Sequence, residues 1–203
     1  MRGESPSAIV HGRLVGWGGL LLSMALAGCG DRSPEGRAGL KIVPGDGWTK
    51  VANSVPVAPG TVVSAWSGPE GASFVAFTSL PIPGPDAGAL AKETAVRWLN
   101  LPGVSIKSES VETYSGLKAA RVEATGPGTG DSFVPSGFGK PIPRDGQPLI
   151  ETRRVFVSFP RAADTLTLLW HYPESAREAI APRVESMLGS VEISDKAWSS
   201  YSY

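Results

Sequence analysis

The sequence contains one stretch, Thr165-Leu166-Thr167-Leu168-Leu169-Trp170-His171-Tyr172, whose side chains are large on both faces of a predicted β-strand. Because side chains alternate along a strand, they divide into two sets: Leu166, Leu168, Trp170 and Tyr172 on one face, and Thr165, Thr167, Leu169 and His171 on the other. A strand of this kind lies inside a sheet that is covered on both sides. The stretch therefore predicts a central strand.

The surrounding sequence predicts hairpins, and therefore an antiparallel sheet. Each hairpin consists of two β-like runs around a segment rich in turn residues. The predicted pairs are residues 61–66 with 72–80, residues 104–114 with 117–125 around Ser115-Gly116, and residues 151–159 with 165–172. Residues 191–193 are predicted as a short edge strand.

Two helices are predicted between and after these strands. Residues 87–100 follow a plausible N-cap, Asp86, and repeat apolar side chains with helical spacing. A last helix follows Pro173, with an apolar face that includes Ile180 and Val184. Pro182 lies inside this pattern and is expected to kink or split the helix. The fold class predicted is α+β, with an antiparallel β-sheet whose central strand is covered on both sides.

The order and spacing of these elements resemble the PsbP-like α/β/α sandwich, which also occurs in small bacterial lipoproteins. The similar stretches are Ala72-Ser73-Phe74-Val75-Ala76-Phe77, Tyr114-Ser115-Gly116-Leu117-Lys118-Ala119-Ala120-Arg121-Val122, Thr165-Leu166-Thr167-Leu168-Leu169-Trp170 and Met187-Leu188-Gly189-Ser190-Val191. The resemblance implies an antiparallel sheet with helices on both faces. It does not imply an enzyme, since the known members of the family mostly bind partners or assist assembly.

The N-terminal region has the layout of a bacterial lipoprotein signal. Arg2 and Arg13 precede an uncharged run over residues 14–28, which ends in Leu26-Ala27-Gly28-Cys29. Cys29 is the predicted lipidation site and the first residue of the mature protein. Acyl chains there would hold the protein on a membrane. The expected location is the cell envelope, lipid-anchored and facing the periplasm or the exterior.

The domain boundaries follow from these signals and from composition. Residues 1–28 are predicted as the signal peptide, 29–39 as a flexible tether, and 40–193 as a single domain. Within it, residues 126–148 are rich in glycine and proline and are expected to form an irregular insertion. Residues 194–203 form a polar tail with three aromatic side chains.

Composition disfavours several functions. Without residues 1–28 the chain has 17 basic side chains (19 less Arg2 and Arg13) and 18 acidic ones (19 less Glu4). This near balance disfavours binding to nucleic acid. With Cys29 lipidated no thiol remains, and with a single histidine left no zinc site is expected. No calcium-loop motif is present either, and no metal or cofactor is predicted.

The remaining candidate residues are interpreted as structural. His171 lacks an evident nucleophile and carboxylate partner, and packing is the preferred interpretation. Gly126–Asp131 lacks the lysine of a phosphate loop. Arg153, Arg154 and Arg161 are expected on a solvated surface. The aromatic residues Trp98, Trp170 and Tyr172 are expected in the core rather than in a ligand groove, and Trp198, Tyr201 and Tyr203 at a frayed terminus.

The function predicted is that of a non-catalytic, membrane-anchored envelope lipoprotein that docks, or assists the assembly of, an unknown protein partner. Two alternatives stay open. One is a carrier that holds a small ligand between sheet and helix. The other is a hydrolase with Ser or Asp residues near the 126–148 loop.

Overall fold

The computed structural model describes residues 33–51, 61–80, 86–99, 101–128 and 148–194. Seven strands form one antiparallel sheet in the order β2-β3-β4-β8-β7-β6-β5. Their bounds are β2 Thr49–Lys50, β3 Thr61–Ser67, β4 Ser73–Ser79, β5 Ser105–Tyr114, β6 Leu117–Gly128, β7 Ile150–Pro160 and β8 Thr165–Pro173. The predicted hairpins are therefore confirmed, and most strands are slightly longer than predicted.

The stretch Thr165–Pro173 is the central strand, as predicted. It pairs with β4 on one side and with β7 on the other, and every residue from Thr165 to Tyr172 is buried. Leu168 and Trp170 are fully buried on one face, while Leu169 is buried on the other. Both faces of the sheet are thus covered at its centre.

Helix α2, Ala87–Leu99, covers one face of the sheet, which we call the α2 face. Its buried residues Leu90, Ala91 and Ala95 pack against Val122 of β6 and Phe156 of β7. The helix begins as predicted, because the Asp86 carboxylate accepts a hydrogen bond from the backbone N–H of Ala89 (2.8 Å). That bond satisfies one of the free N–H groups of the first turn.

Helix α3, Arg177–Gly189, covers the opposite face, which we call the α3 face. Its buried side chains join the larger core cluster with Phe74, Val157 and Trp170: they are Ile180, Val184, Met187 and Leu188. Pro182 was expected to kink or split this helix; it does not split it, because Arg177–Gly189 is one continuous helix, and the kink stays a prediction. The apolar burial of this face outweighs the one backbone hydrogen bond that proline cannot donate.

The prediction of a flexible tether over residues 29–39 is wrong from Ser33 onward. Residues Pro34–Arg37 form a short helix, α1, and the Ser33 hydroxyl accepts a hydrogen bond from the N–H of Gly36 (3.0 Å). Ala38 is fully buried in the core. The folded domain therefore begins before residue 40. Residues 1–32 lie outside the described residues, so the signal peptide remains a prediction.

A second, two-stranded sheet joins the two ends of the domain. Strand β1, Leu40–Lys41, pairs antiparallel with β9, Glu192–Ile193. The N–H of Ser194 also donates to the carbonyl of Gly39 (2.8 Å). The short strand predicted near residue 193 is present, and its partner is the first strand of the predicted domain, directly after the segment that was expected to be a tether.

The prediction of an irregular insertion over residues 126–148 is wrong for its first three residues. Gly126, Pro127 and Gly128 continue β6 and pair with Thr152, Glu151 and Ile150 of β7. Position 128 favours glycine because the Cβ of any other residue would lie 2.7 Å from the Thr152 hydroxyl oxygen, which is too close. Residues 129–147, and the tail from residue 195, lie outside the described residues.

Candidate functional site

The predicted lipidation site, Cys29, lies outside the described residues. Among the residues that the structure does describe, no group of His, Cys, Asp and Glu side chains is placed to hold a metal ion. Within those same ranges, no helix is long and apolar enough to cross a membrane. The remaining candidates are two charged clusters, one on each face of the sheet, and one exposed edge.

His171 lies in a polar row on the α2 face, across from Ser73 on β4 and Arg154 on β7. It is buried, and burial together with the charge of Arg154 lowers its pKa to about 4. The imidazole is therefore neutral at pH 7. The hydroxyl of Ser73 has no hydrogen bond to a described residue, so a Ser–His pair of the kind that activates a nucleophile is not assembled here.

Arg154 is buried beside His171, and the expectation that it is solvated is wrong. Burial lowers the pKa of its guanidinium, although the nearby Glu151 acts in the opposite direction. Its Nη2 donates a hydrogen bond to the carbonyl oxygen of Pro127 (2.7 Å). Arg154 thus holds the end of β6 against β7, which is a structural role.

The α3 face carries a network of ion pairs centred on Arg121 of β6. Arg121 makes two hydrogen bonds to Glu185 of α3 (2.5 and 3.1 Å) and one to Glu123 (2.7 Å). These bonds raise the pKa of the guanidinium, with Glu185 the largest cause. Glu112 of β5 lies 3.6 Å away and accepts a hydrogen bond from the hydroxyl of Tyr114. One cation therefore faces three carboxylates.

Arg153 extends the same network on β7, so it too is not solvated. It donates two hydrogen bonds to Glu174 (2.8 and 2.9 Å) and one to Glu123 (2.8 Å). Bonding to Arg153 is the main reason that the pKa of Glu174 lies below its ordinary value. Glu123 bridges the two arginines and ties β6 to β7. The ion pairs of this network join two arginines to four glutamates, and the positive charges of Arg177 and Lys107 also act on Glu174.

Arg161 was predicted at a solvated hairpin tip, and this is also wrong. Its side chain is fully buried and forms two parallel bonds to Asp164 (both 2.6 Å). It also donates to the carbonyl oxygen of Ala38 (2.6 Å). Arg161 therefore clamps the segment before β1 onto the sheet.

Trp170 and Tyr172 lie in the core, which confirms that interpretation over a ligand groove. Trp170 stacks on Phe74 with ring centroids 4.8 Å apart. Both Trp170 and Tyr172 belong to the largest fully buried side chains. The side chain of Trp98, and the aromatic residues Trp198, Tyr201 and Tyr203, lie outside the described residues.

The outer strand β5 is the longer of the two end strands of the described sheet, and the two-residue strand β2 at the other end is exposed as well. Strand β5 has a predominantly exposed or intermediate burial pattern, and it ends the strand order. Val111 of β5 is exposed (48%), and so are Val96 (49%) and Leu99 (58%) of α2. Sequence reasoning missed this edge, although the position of Val111 between the charged Glu109 and Glu112 is visible in the sequence.

Comparisons with known proteins find similarity in fold. No protein-family model matches the chain, and no curated protein sequence matches it. Similar solved structures include the cyanobacterial PsbP (CyanoP) from Synechocystis sp. PCC 6803, with 9% identity over 77% of this chain and 94% of that one and a TM-score of 0.48. LpqN of Mycobacterium tuberculosis, described as involved in cell envelope biogenesis, has 14% identity over 76% and 83% and a TM-score of 0.49.

A third similar structure is PA94 from Pseudomonas aeruginosa, a protein of unknown function described as a putative regulator. It shares 14% identity over 74% of this chain and 81% of that one, with a TM-score of 0.44. At such identities the likeness concerns the fold alone. The antiparallel sheet with a helix on each face has the layout of the PsbP-like α/β/α sandwich that was expected from the sequence.

Proposed function

We propose that this chain is a non-catalytic lipoprotein of the cell envelope, anchored through Cys29, that docks a protein partner with the face or edge of its sandwich. The observation that carries the proposal is the segment Leu26-Ala27-Gly28-Cys29, which ends an uncharged run behind Arg2 and Arg13. Such a segment directs export and acylation. Acyl chains on Cys29 then keep the domain at a membrane surface.

The state of the polar clusters supports a binding role over a catalytic one. Arg121 and Arg153 are bonded to carboxylates, and Arg161 is bonded to Asp164 and a backbone carbonyl. His171 is buried and neutral at pH 7. Catalytic groups need a reachable substrate and a matched pKa, whereas these side chains hold strands and helices together. Exposed backbone and apolar side chains are among the groups of the described residues that remain available for contact with another molecule.

The anchor is tested by Cys29→Ser in the producing cell. The wild-type protein is expected in the membrane fraction, released by detergent and not by salt. Cys29→Ser is expected in the soluble fraction or as the unprocessed full-length chain. The matched control is Ser33→Ala, which lies a few residues away and leaves the signal intact. Equal membrane retention of Cys29→Ser and wild type would overturn the anchor.

Docking is tested in intact envelopes by photo-crosslinking. A photoreactive amino acid is placed at exposed positions on β5 and on α3, one per variant. The proposal expects one discrete crosslinked species from a subset of these positions, and none from the others. Crosslinks of equal strength from every position, or from none, would contradict specific docking.

A further inference from the structure

We infer that the outer edge of β5, from Ser108 to Tyr114, accepts an extended segment of the protein partner as an added strand, with apolar and basic side chains alternating in that segment. This inference rests on the proposed docking function and assigns it a surface. We call this surface, Ser108–Tyr114, the β5 edge. The sheet order places β5 at one end, and none of the described strands pairs with its outer side.

The turn that ends β5 identifies the backbone groups that point outward. Ser115 and Gly116 both have positive φ (51° and 80°), as in the two-residue type I′ hairpin turn. The hydrogen bond across such a turn makes the flanking Tyr114 and Leu117 a hydrogen-bonded pair.

Bonded and non-bonded pairs alternate along an antiparallel ladder, and the register from Ser108 to Tyr114 is unbroken. Every second residue before Tyr114 therefore bonds to β6. The residues between them direct their N–H and C=O groups outward, and they are Glu109, Val111 and Thr113. An added strand would pair with these three residues, which is how an extended peptide binds a sheet edge.

The α2 side of the β5 edge favours apolar side chains in the added strand. Val111 is opposite Ala120, which lies in the cluster beneath α2. A Cβ at Gly88 of α2 would lie 3.7 Å from the Val111 side chain, so this helix runs along the edge. Val111 is about half exposed and thus offers apolar contact on this face of the incoming segment, between Glu109 and Thr113.

The α3 side of the β5 edge favours basic side chains in the added strand. Glu112 lies here, and hydrogen bonds from Tyr114 and Ser110, together with the charge of Arg121, lower its pKa although partial burial acts to raise it. The carboxylate is therefore ionised at neutral pH. Arg121 is shared among Glu112, Glu123 and Glu185, which leaves negative charge in excess. A Lys or Arg on the α3 face of the added strand would meet this charge.

The bulge and the lysine that protect an exposed edge lie at one end of β5 only, whereas the charged side chains in its regular part are Glu109 and Glu112. A bulge interrupts the register between Ile106 and Ser108 and includes the charged Lys107. Bulges and lysines are the usual means by which edge strands avoid unwanted pairing. From Ser108 to Tyr114 the strand is regular, so a segment of about seven residues can pair there without obstruction.

The test uses the full lipidated chain in nanodiscs of phosphatidylcholine, with two synthetic peptides as probes. One peptide alternates valine and lysine, and the other alternates valine and glutamate. We expect the valine–lysine peptide to bind and to slow hydrogen exchange at Glu109, Val111 and Thr113. The valine–glutamate peptide should bind at least about tenfold more weakly, because like charges meet at Glu112. Empty nanodiscs measure any binding of the peptides to lipid.

Val111→Pro supplies the decisive variant. Proline lacks the outward N–H, and it is tolerated on an edge strand when that N–H faces solvent, so the domain should stay folded while peptide binding falls about tenfold or more. Val111→Thr keeps the N–H and the branched shape, and it should bind as the wild type does. Thr113→Pro repeats the test at the next outward residue, should Val111→Pro melt without cooperativity.

The inference is overturned if the valine–lysine peptide does not bind, if it protects amides elsewhere, or if folded Val111→Pro or Thr113→Pro binds as wild type does. Failure here is distinguishable from failure of the proposed function. A partner crosslink in intact envelopes that persists in Val111→Pro keeps docking and rejects the β5 edge. Absence of any crosslink in wild type rejects docking whatever the peptides do.

Discussion

Arg161 is a charged side chain whose contacts make it part of the core. It lies between Asp164, in its own hairpin turn, and Ala38, which is distant in sequence. Its side chain is fully buried. Removing one partner of such a pair leaves the other buried without compensation, which is costly. The position therefore matters more to stability than its place at a hairpin tip suggests.

We predict that Arg161→Ala lowers the free energy of unfolding by about 3 kcal/mol, which is typical of removing one partner of a buried ion pair. The matched control is Arg97→Ala, which removes an exposed pair with Glu93 on α2 and should cost about 0.5 kcal/mol or less. Urea titration of both variants measures the difference. Equal, small effects would show that the Arg161 contacts do not hold the N-terminal segment.

The lowered pKa of His171 makes the free energy of unfolding depend on pH. Its pKa is about 4 in the folded protein, below its ordinary value near 6.5 in an unfolded chain. Between these values the unfolded chain binds a proton that the folded protein does not, so stability falls as the pH falls. The loss begins near pH 6.5 and continues toward pH 4.

From pH 7 to pH 5.5 the free energy of unfolding should therefore decrease by about 1 kcal/mol through His171. In His171→Gln this decrease should vanish, whatever the absolute stability of the variant. Chemical denaturation at the two pH values gives both slopes. A decrease of equal size in His171→Gln would mean that another group is responsible.

The β5–β6 hairpin depends on its turn. Gly116 has a φ of 80°, and a Cβ there would meet nothing within 4 Å. The cost of Gly116→Ala is therefore a backbone cost alone, about 1–2 kcal/mol for an L-residue in this conformation. Ser115 also has a positive φ. Ser115→Asn should therefore stabilise the folded protein, because Asn adopts the left-handed region more readily than Ser. Thermal melting of Gly116→Ala and Ser115→Asn should shift in opposite directions, and a shift in the same direction would contradict the turn assignment.

The strands and helices could be predicted because their signals are local. Alternation identifies β8 and β5, and helical spacing behind Asp86 identifies α2. Arg153 could not be placed, because its partners Glu123 and Glu174 are 30 and 21 residues away in sequence. Helix α1 had a local signal, a serine N-cap followed by proline, which the glycine-rich composition around it concealed.

The molecule as a whole combines a sheet covered by helices with a proposed anchor in its N-terminal region. Helices cover the two faces of the sheet, while β5 leaves one edge accessible. The segment before β1 is fixed to the core by Arg161, so a lipid at Cys29 would be joined to the domain through only a few residues. The domain should therefore stay close to the membrane, and a partner reached by the β5 edge should be an envelope protein.

The most direct test of this account is the mass of the N-terminal peptide from protein purified out of membranes. The account predicts that residues 1–28 are absent and that Cys29 is the first residue, with a diacylglyceryl group on its sulfur. A mature N-terminus elsewhere, or Cys29 without lipid in the membrane-bound protein, would contradict it.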